Sequence, residues 1–161
     1  WRAKADLLVA VLPAHREKLR AFRQPLPSGA LAIEQPPMMY DAAAFAVLTQ
    51  HQESGHVQGC TIGSVVAEIS TQSETIRQAV ADALDEMTTT VEGLVERATD
   101  EGDLDRATDA KALAQRLLAY VQGATLLAKS KNDPRVTQEL RNGYLQLLGL
   151  DSNQPQPQRS P

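Results

Sequence analysis

Three groups of residues are of the types that do chemistry. His51, His56 and Cys60 offer nitrogen and sulfur ligands to a metal. His51 and His56 are five apart, off register for one helical face, and Gly59 interrupts the four-residue step from His56 to Cys60. A zinc site needs more ligands than this region supplies, so no metal is expected. Ser64, in the run Gly59-Cys60-Thr61-Ile62-Gly63-Ser64, has no His and Asp at hand to activate it as a nucleophile. Gly59-x-x-x-Gly63 lacks the Gly-Lys-Ser/Thr that completes a phosphate loop. Cys60 is the single cysteine, which excludes an internal disulfide and fits a reducing compartment. It is expected as a packed small hydrophobe. These residues therefore predict no catalytic group, no cofactor and no enzyme.

The elements around them read as helices. Ala and Leu supply 43 of the 161 residues and aromatics 4%, a balance that favours helix over sheet. Residues 38 to 133 contain no proline, the strongest helix breaker. Apolar spacing predicts a helix over 4–23, interrupted or kinked at Pro13. A Pro-rich connector follows over 24–37, in which Pro36-Pro37 can open the next helix. Helices are expected over 38–54 and, largely buried, over 59–70. The longest starts at Ser73-Glu74 and ends near Gly102, with Ile76, Val80, Ala83, Leu84, Met87, Val91, Leu94, Val95 and Ala98 on its apolar face. Asp109 caps the helix to 131. Asp133 as N-cap and Pro134 as first residue open the last, over 134–149. The tail 151–161 has no core residue and reads as disordered.

Charge is unevenly spread. Residues 1–23 hold six basic residues against Asp6 and Glu17, and the remainder holds ten basic against eighteen acidic. A basic end on an acidic body points to an anionic partner near the N-terminus. No apolar run approaches the ~20 residues that cross a bilayer, so a cytoplasmic protein without a membrane partner is expected. The chain opens at Trp1, and its methionines are Met38, Met39 and Met87. It therefore reads as a processed, trimmed or partial chain.

Three stretches, in this order and spacing, resemble the C-terminal regulatory domain of tetracycline-repressor-family (TetR-family) transcription factors. Trp1-Arg2-Ala3-Lys4-Ala5-Asp6-Leu7-Leu8 is similar to the family's junction after the recognition helix. Gly59-Cys60-Thr61-Ile62-Gly63 is similar to a Gly-Cys-x-[Leu/Ile]-Gly segment of one large subgroup. Gly102-x-Leu104, Ala112-Leu113-Ala114, Tyr120-Val121-Gln122-Gly123-Ala124 and Leu127-Ala128 are similar to the run over the family's last two helices. The resemblance covers residues 1–148. The family's helix-turn-helix lies upstream of the aromatic that Trp1 matches.

The resemblance implies an all-α bundle of about six helices over 1–150, with 1–23 as the linking helix from the DNA-binding domain. It implies a homodimer that represses by binding operator DNA through that missing domain and lets go when a small molecule binds. Lys4 would contact a DNA phosphate at its helix start, with Arg2 a weaker candidate. Pro13 would mark a hinge in the linking helix. Helices 109–131 and 134–149 would pair with their symmetry mates through Leu117, Val121, Ala124, Ala128, Leu140, Tyr144 and Leu147. The effector, unidentified and partly apolar, would sit between helices 38–54, 59–70, 74–101 and 109–131. Met38, Met39, Tyr40, Phe45, His51, Cys60 and Met87 are the candidate lining residues, since methionine adapts to varied apolar ligands. The competing expectation is a helical protein–protein interaction module with no small-molecule ligand.

Overall fold

The computed structural model describes residues 30–64 and 73–150. Within them lie a 3-10 turn, Ala32–Glu34, and five α-helices: α1 (Gln35–Ser54), α2 (Glu74–Asp100), α3 (Ala110–Lys131), α4 (Arg135–Glu139) and α5 (Arg141–Leu147). Residues 61–64 are helical as well, and there is no strand among the described residues. The all-α expectation holds. The helix expected over 4–23, with Arg2, Lys4 and Pro13, lies outside the described residues. So do positions 65–70 of the helix expected over 59–70, and the tail 151–161.

The helix ends follow their capping residues. α1 begins at Gln35, three residues before the expected start, because Pro36 and Pro37 are accommodated in its first turn, where no intrahelical N–H is needed. It ends at Gly55, whose φ of 73° places it in the left-handed region. Ser73 Oγ accepts from Ile76 N at 3.4 Å and opens α2. Asp109 Oδ1 accepts from Ala112 N at 2.9 Å and opens α3. Asn132, with φ 49°, closes α3 in a left-handed conformation that asparagine tolerates.

Two expectations at the C-terminal end are corrected. The first helical residue after the break is Arg135, so Pro134 occupies the N-cap position and Asp133 precedes it. Asp133 instead accepts from Arg135 N at 3.0 Å and from the Arg135 guanidinium at 2.7 Å. The single helix expected over 134–149 is two, divided at Leu140. Tyr120 Oη donates to the Leu140 carbonyl at 2.8 Å. Tyr144 N reaches that same carbonyl only at 3.4 Å. A side chain entering the ladder in this way divides a helix.

The core forms where α2 and α3 pack along each other. Val91, Val95 and Ala98 of α2 meet Leu113, Ala114, Leu117 and Ala124 of α3 in one buried cluster. Tyr40, Tyr144 and Leu148 join it, as do Ala32 and Ile33 of the 3-10 turn. That turn is fastened to the end of α2, with Ala32 N donating to Glu101 Oε2 at 3.1 Å. Arg141 grips Asp41 through two hydrogen bonds of 2.6 and 2.8 Å, joining α5 to α1. A second buried cluster joins Ile62 to Ile76, Val80 and Ala83.

Candidate ligand-binding cavity

A cavity of about 220 Å³ lies between α1, the 59–61 segment, α2 and α3. Helical spacing sets which side chains reach it. α1 contributes Met39, Ala43, Ala46, Val47 and Gln50, which share one face of the helix. α2 contributes Ala83, Glu86, Met87, Thr90 and Val91 in the same way. α3 closes the back with Leu117, Leu118, Val121, Gln122 and Thr125, and Tyr144 completes the wall from α5. Ala43, Ala46 and Ala83 are small residues on facing helices. Their short side chains leave the space that a Leu or Phe would fill.

The fourth wall depends on a polar clamp. Asn132 Oδ1 accepts from Val57 N at 2.8 Å, and Asn132 Nδ2 donates to the Gly55 carbonyl at 3.1 Å. The loop after α1 is thereby fixed to the end of α3. Lys129 Nζ donates to Ser64 Oγ at 2.8 Å, fastening residues 61–64 to the same helix. Gly63 lets Gln122 approach, since a Cβ there would stand 2.8 Å from Gln122 Oε1.

The wall is chiefly apolar, with a few polar groups. Glu86 is its one acidic residue, and no Lys, Arg or His is among the described residues lining it. Thr90 Oγ1 donates to the Glu86 carbonyl at 2.9 Å and Thr125 Oγ1 to the Gln122 carbonyl at 3.0 Å. Gln50 Oε1 is buried and has no hydrogen-bond partner.

Beside the cavity, all three tyrosines of the chain form one cluster. Tyr40 and Tyr144 have ring centroids 4.7 Å apart, and Tyr120 lies 6.4 and 6.1 Å from them. Tyr40 Oη donates to the Thr137 carbonyl at 2.6 Å. Burial, then the neighbouring Tyr120 and Asp41, push its hydroxyl up to about 12, against the opposing pull of Arg141. Burial raises Tyr144 in the same direction.

The candidate residues divide clearly. Met39, Cys60 and Met87 line the cavity. Met38, Tyr40, Phe45 and His51 do not. Tyr40 is buried in the tyrosine cluster with its hydroxyl already bonded, and Phe45 is 69% exposed on the outside of α1. Met38 lies one position, about 100° of turn, off the lining face. Sequence reasoning missed Gln50, Thr90, Gln122 and the alanines, because small and polar residues carry no apolar signal. The run Ala42-Ala43-Ala44 followed by Ala46 is the trace that could have shown a helix face too small to fill its space.

The residues assigned to a symmetric interface divide as well. Leu117, Ala124, Ala128 and Tyr144 are buried within the chain itself, at 3% exposure or less. They have no surface left for a partner, and Leu117 and Tyr144 face the cavity. Val121, Leu140 and Leu147 are half-buried against the same core. The broad apolar surface of α3 is therefore internal packing for the most part. What α3 leaves outside is Leu126, 62% exposed, and Leu127, 46% exposed. Among the described residues no group of three His, Cys, Asp or Glu could hold a metal, and no helix is long and apolar enough to cross a membrane.

Residues 42–144 match a family model described as tetracyclin repressor-like, C-terminal domain. The matched span contains every lining residue of the cavity except Met39. No curated protein and no solved structure matches the chain.

Proposed function

The chain belongs to the tetracycline-repressor-like C-terminal-domain family, and on that premise we propose that it is the effector-binding and homodimerisation domain of a transcriptional repressor. The family is regulatory and non-enzymatic. A small molecule entering the cavity releases operator DNA, because it binds one arrangement of the helices better than the other.

The apolar cavity between α1, α2 and α3 carries this reading. It has the apolar wall and the few polar groups of a small-molecule site. Its walls belong to the helices that hold the core together, so filling it acts on their packing directly.

The outer face of α3 supports dimerisation. Ala119, Gly123 and Leu126 follow one another at steps of four and three, with Leu127 adjacent. A Cβ at Gly123 would meet nothing within 4 Å, so the backbone there is open to a close neighbour. Exposed leucines beside small residues suit a helix packing on its two-fold mate.

The coding sequence upstream of Trp1 tests the DNA-binding part of the proposal. A basic three-helix stretch ending in an aromatic pair is expected there. Its absence would contradict repression through operator DNA and favour a helical interaction module.

A further inference from the structure

We infer that the hydroxyl of Tyr144 is the polar anchor of the cavity, and that the effector is an apolar ring molecule whose carbonyl oxygen accepts its proton. The inference rests on the effector-binding reading above and names the chemistry of the ligand. A buried tyrosine hydroxyl ordinarily finds a partner in the protein. Two of the three tyrosines follow that rule. Tyr40 Oη donates to the Thr137 carbonyl and Tyr120 Oη to the Leu140 carbonyl. Tyr144 does not. It is 2% exposed, yet no described residue hydrogen-bonds its hydroxyl. Nor is Tyr144 Oη among the oxygens sealed into the packing without a partner. An oxygen neither paired nor sealed, on a residue so nearly cut off from bulk water, opens on the cavity which that residue lines.

The packing aims the group. α5 rests on α1 and α3, and Tyr144 is the one residue of α5 that lines the space between α1, α2 and α3. Its side chain enters from behind, with its far end innermost. The ring is held 4.7 Å from Tyr40 and 6.1 Å from Tyr120, centroid to centroid, so the hydroxyl is placed before a ligand arrives. Burial raises its ionisation above the ordinary value of 10.0, which keeps the proton available for donation. Other hydroxyls of the wall are committed elsewhere. Thr125 gives its proton to the Gln122 carbonyl and Thr90 to the Glu86 carbonyl, and Thr61 is exposed to solvent. Among the lining hydroxyls, Tyr144 therefore holds the buried proton still to be given. The wall around it is chiefly apolar, which suits a ligand that is apolar apart from one accepting oxygen.

The test is calorimetric titration of the full chain and of Tyr144→Phe with two probes of one outline. 1-Indanone is a fused-ring ketone, and indane has a methylene in place of the carbonyl. Removing the hydroxyl should weaken 1-indanone by about fivefold, the usual worth of one hydrogen bond, and change indane by less than about twofold. Because the hydroxyl has no partner in the protein, the urea midpoint of Tyr144→Phe should stay near that of the unaltered chain. On the unaltered chain alone, the infrared carbonyl stretch of bound 1-indanone should lie below its position in cyclohexane, as in hydrogen-bonded ketones. That measurement stands even if the variant does not fold. Binding of 1-indanone that is unchanged in Tyr144→Phe overturns the anchor and leaves the effector reading standing. So does a bound carbonyl stretch that keeps its cyclohexane position. A variant that weakens both probes alike, or lowers the urea midpoint, gives the hydroxyl a structural role and overturns the anchor as well. Binding by neither probe overturns this inference and counts against the effector reading itself.

Discussion

The hydroxyl of Tyr40 on α1 donates a 2.6 Å hydrogen bond to the carbonyl of Thr137 on α4, joining residues 97 positions apart. The bond is buried, and it holds the helix that carries Met39 and Gln50 against the C-terminal pair. Tyr40→Phe removes the donor and orphans the carbonyl. A loss of about 1–2 kcal/mol in folding stability is expected, measured by urea denaturation.

The same residue gives the fold an alkaline limit. Its hydroxyl ionises at about 12 in the fold against 10.0 ordinarily, because burial disfavours the phenolate. A raised folded value means that the fold favours the neutral phenol. That contribution is whole below pH 10 and is lost as pH rises through about 12. Burial acts on Tyr144 in the same sense. Denaturation midpoints measured across that interval should fall with pH, and should fall less steeply for Tyr40→Phe.

Gly143 lets α5 lie close against Tyr120 of α3. A Cβ there would stand 2.1 Å from Tyr120 Oη and 3.0 Å from its Cζ. Tyr120 cannot swing away freely, since its hydroxyl is bonded to the Leu140 carbonyl and its ring packs on two others. Gly143→Ala is expected to cost about 1–3 kcal/mol, as overpacking does. Combining it with Tyr120→Phe should cost less than the sum of the single changes, because the second removes the clashing oxygen.

Asn132 links cavity shape to the end of α3. Asn132→Ala loses both bonds to the 55–57 loop and places alanine at a positive φ. A loss of about 1–2 kcal/mol is expected. Amide exchange at Val57 should accelerate in the variant more than at the core positions of α2.

The long helices were legible in the sequence because each carries its own start signal and an unbroken apolar period. Asp109 caps the helix it was expected to cap, and Ser73, expected at the start of the longest helix, is its N-cap. The division at Leu140 was not legible. Leucine continues the apolar period there, and the cause is a hydroxyl twenty residues away. The cavity was partly legible for the same reason. Met39, Cys60 and Met87 announce themselves, whereas the void itself is made by alanines. Leu117, Ala124, Ala128 and Tyr144 are buried within the chain, and the sequence did not show it, because an apolar stripe on α3 reads alike whether it meets its own chain or another. Only burial separates Leu117 from Leu126.

Leu126 and Leu127 carry the dimer proposal. Leu126→Glu places a charge at a position that is 62% exposed in the single chain, so the fold should tolerate it. Light scattering coupled to size exclusion is expected to give a dimer for the unaltered chain and a monomer for the variant. An unaltered chain that runs as a monomer at tens of micromolar would contradict the proposal.

Methionine-methyl NMR tests the central claim, that the space between α1, α2 and α3 is a ligand site. The chain has three methionines, and two of them, Met39 and Met87, line the cavity, while Met38 does not. With methyl-labelled methionine, addition of 1-indanone should move the Met39 and Met87 signals through the ring current of the bound probe. Met38 should stay nearly in place as an internal control. Signals of Met39 and Met87 that do not move, or that move no more than Met38, would contradict it.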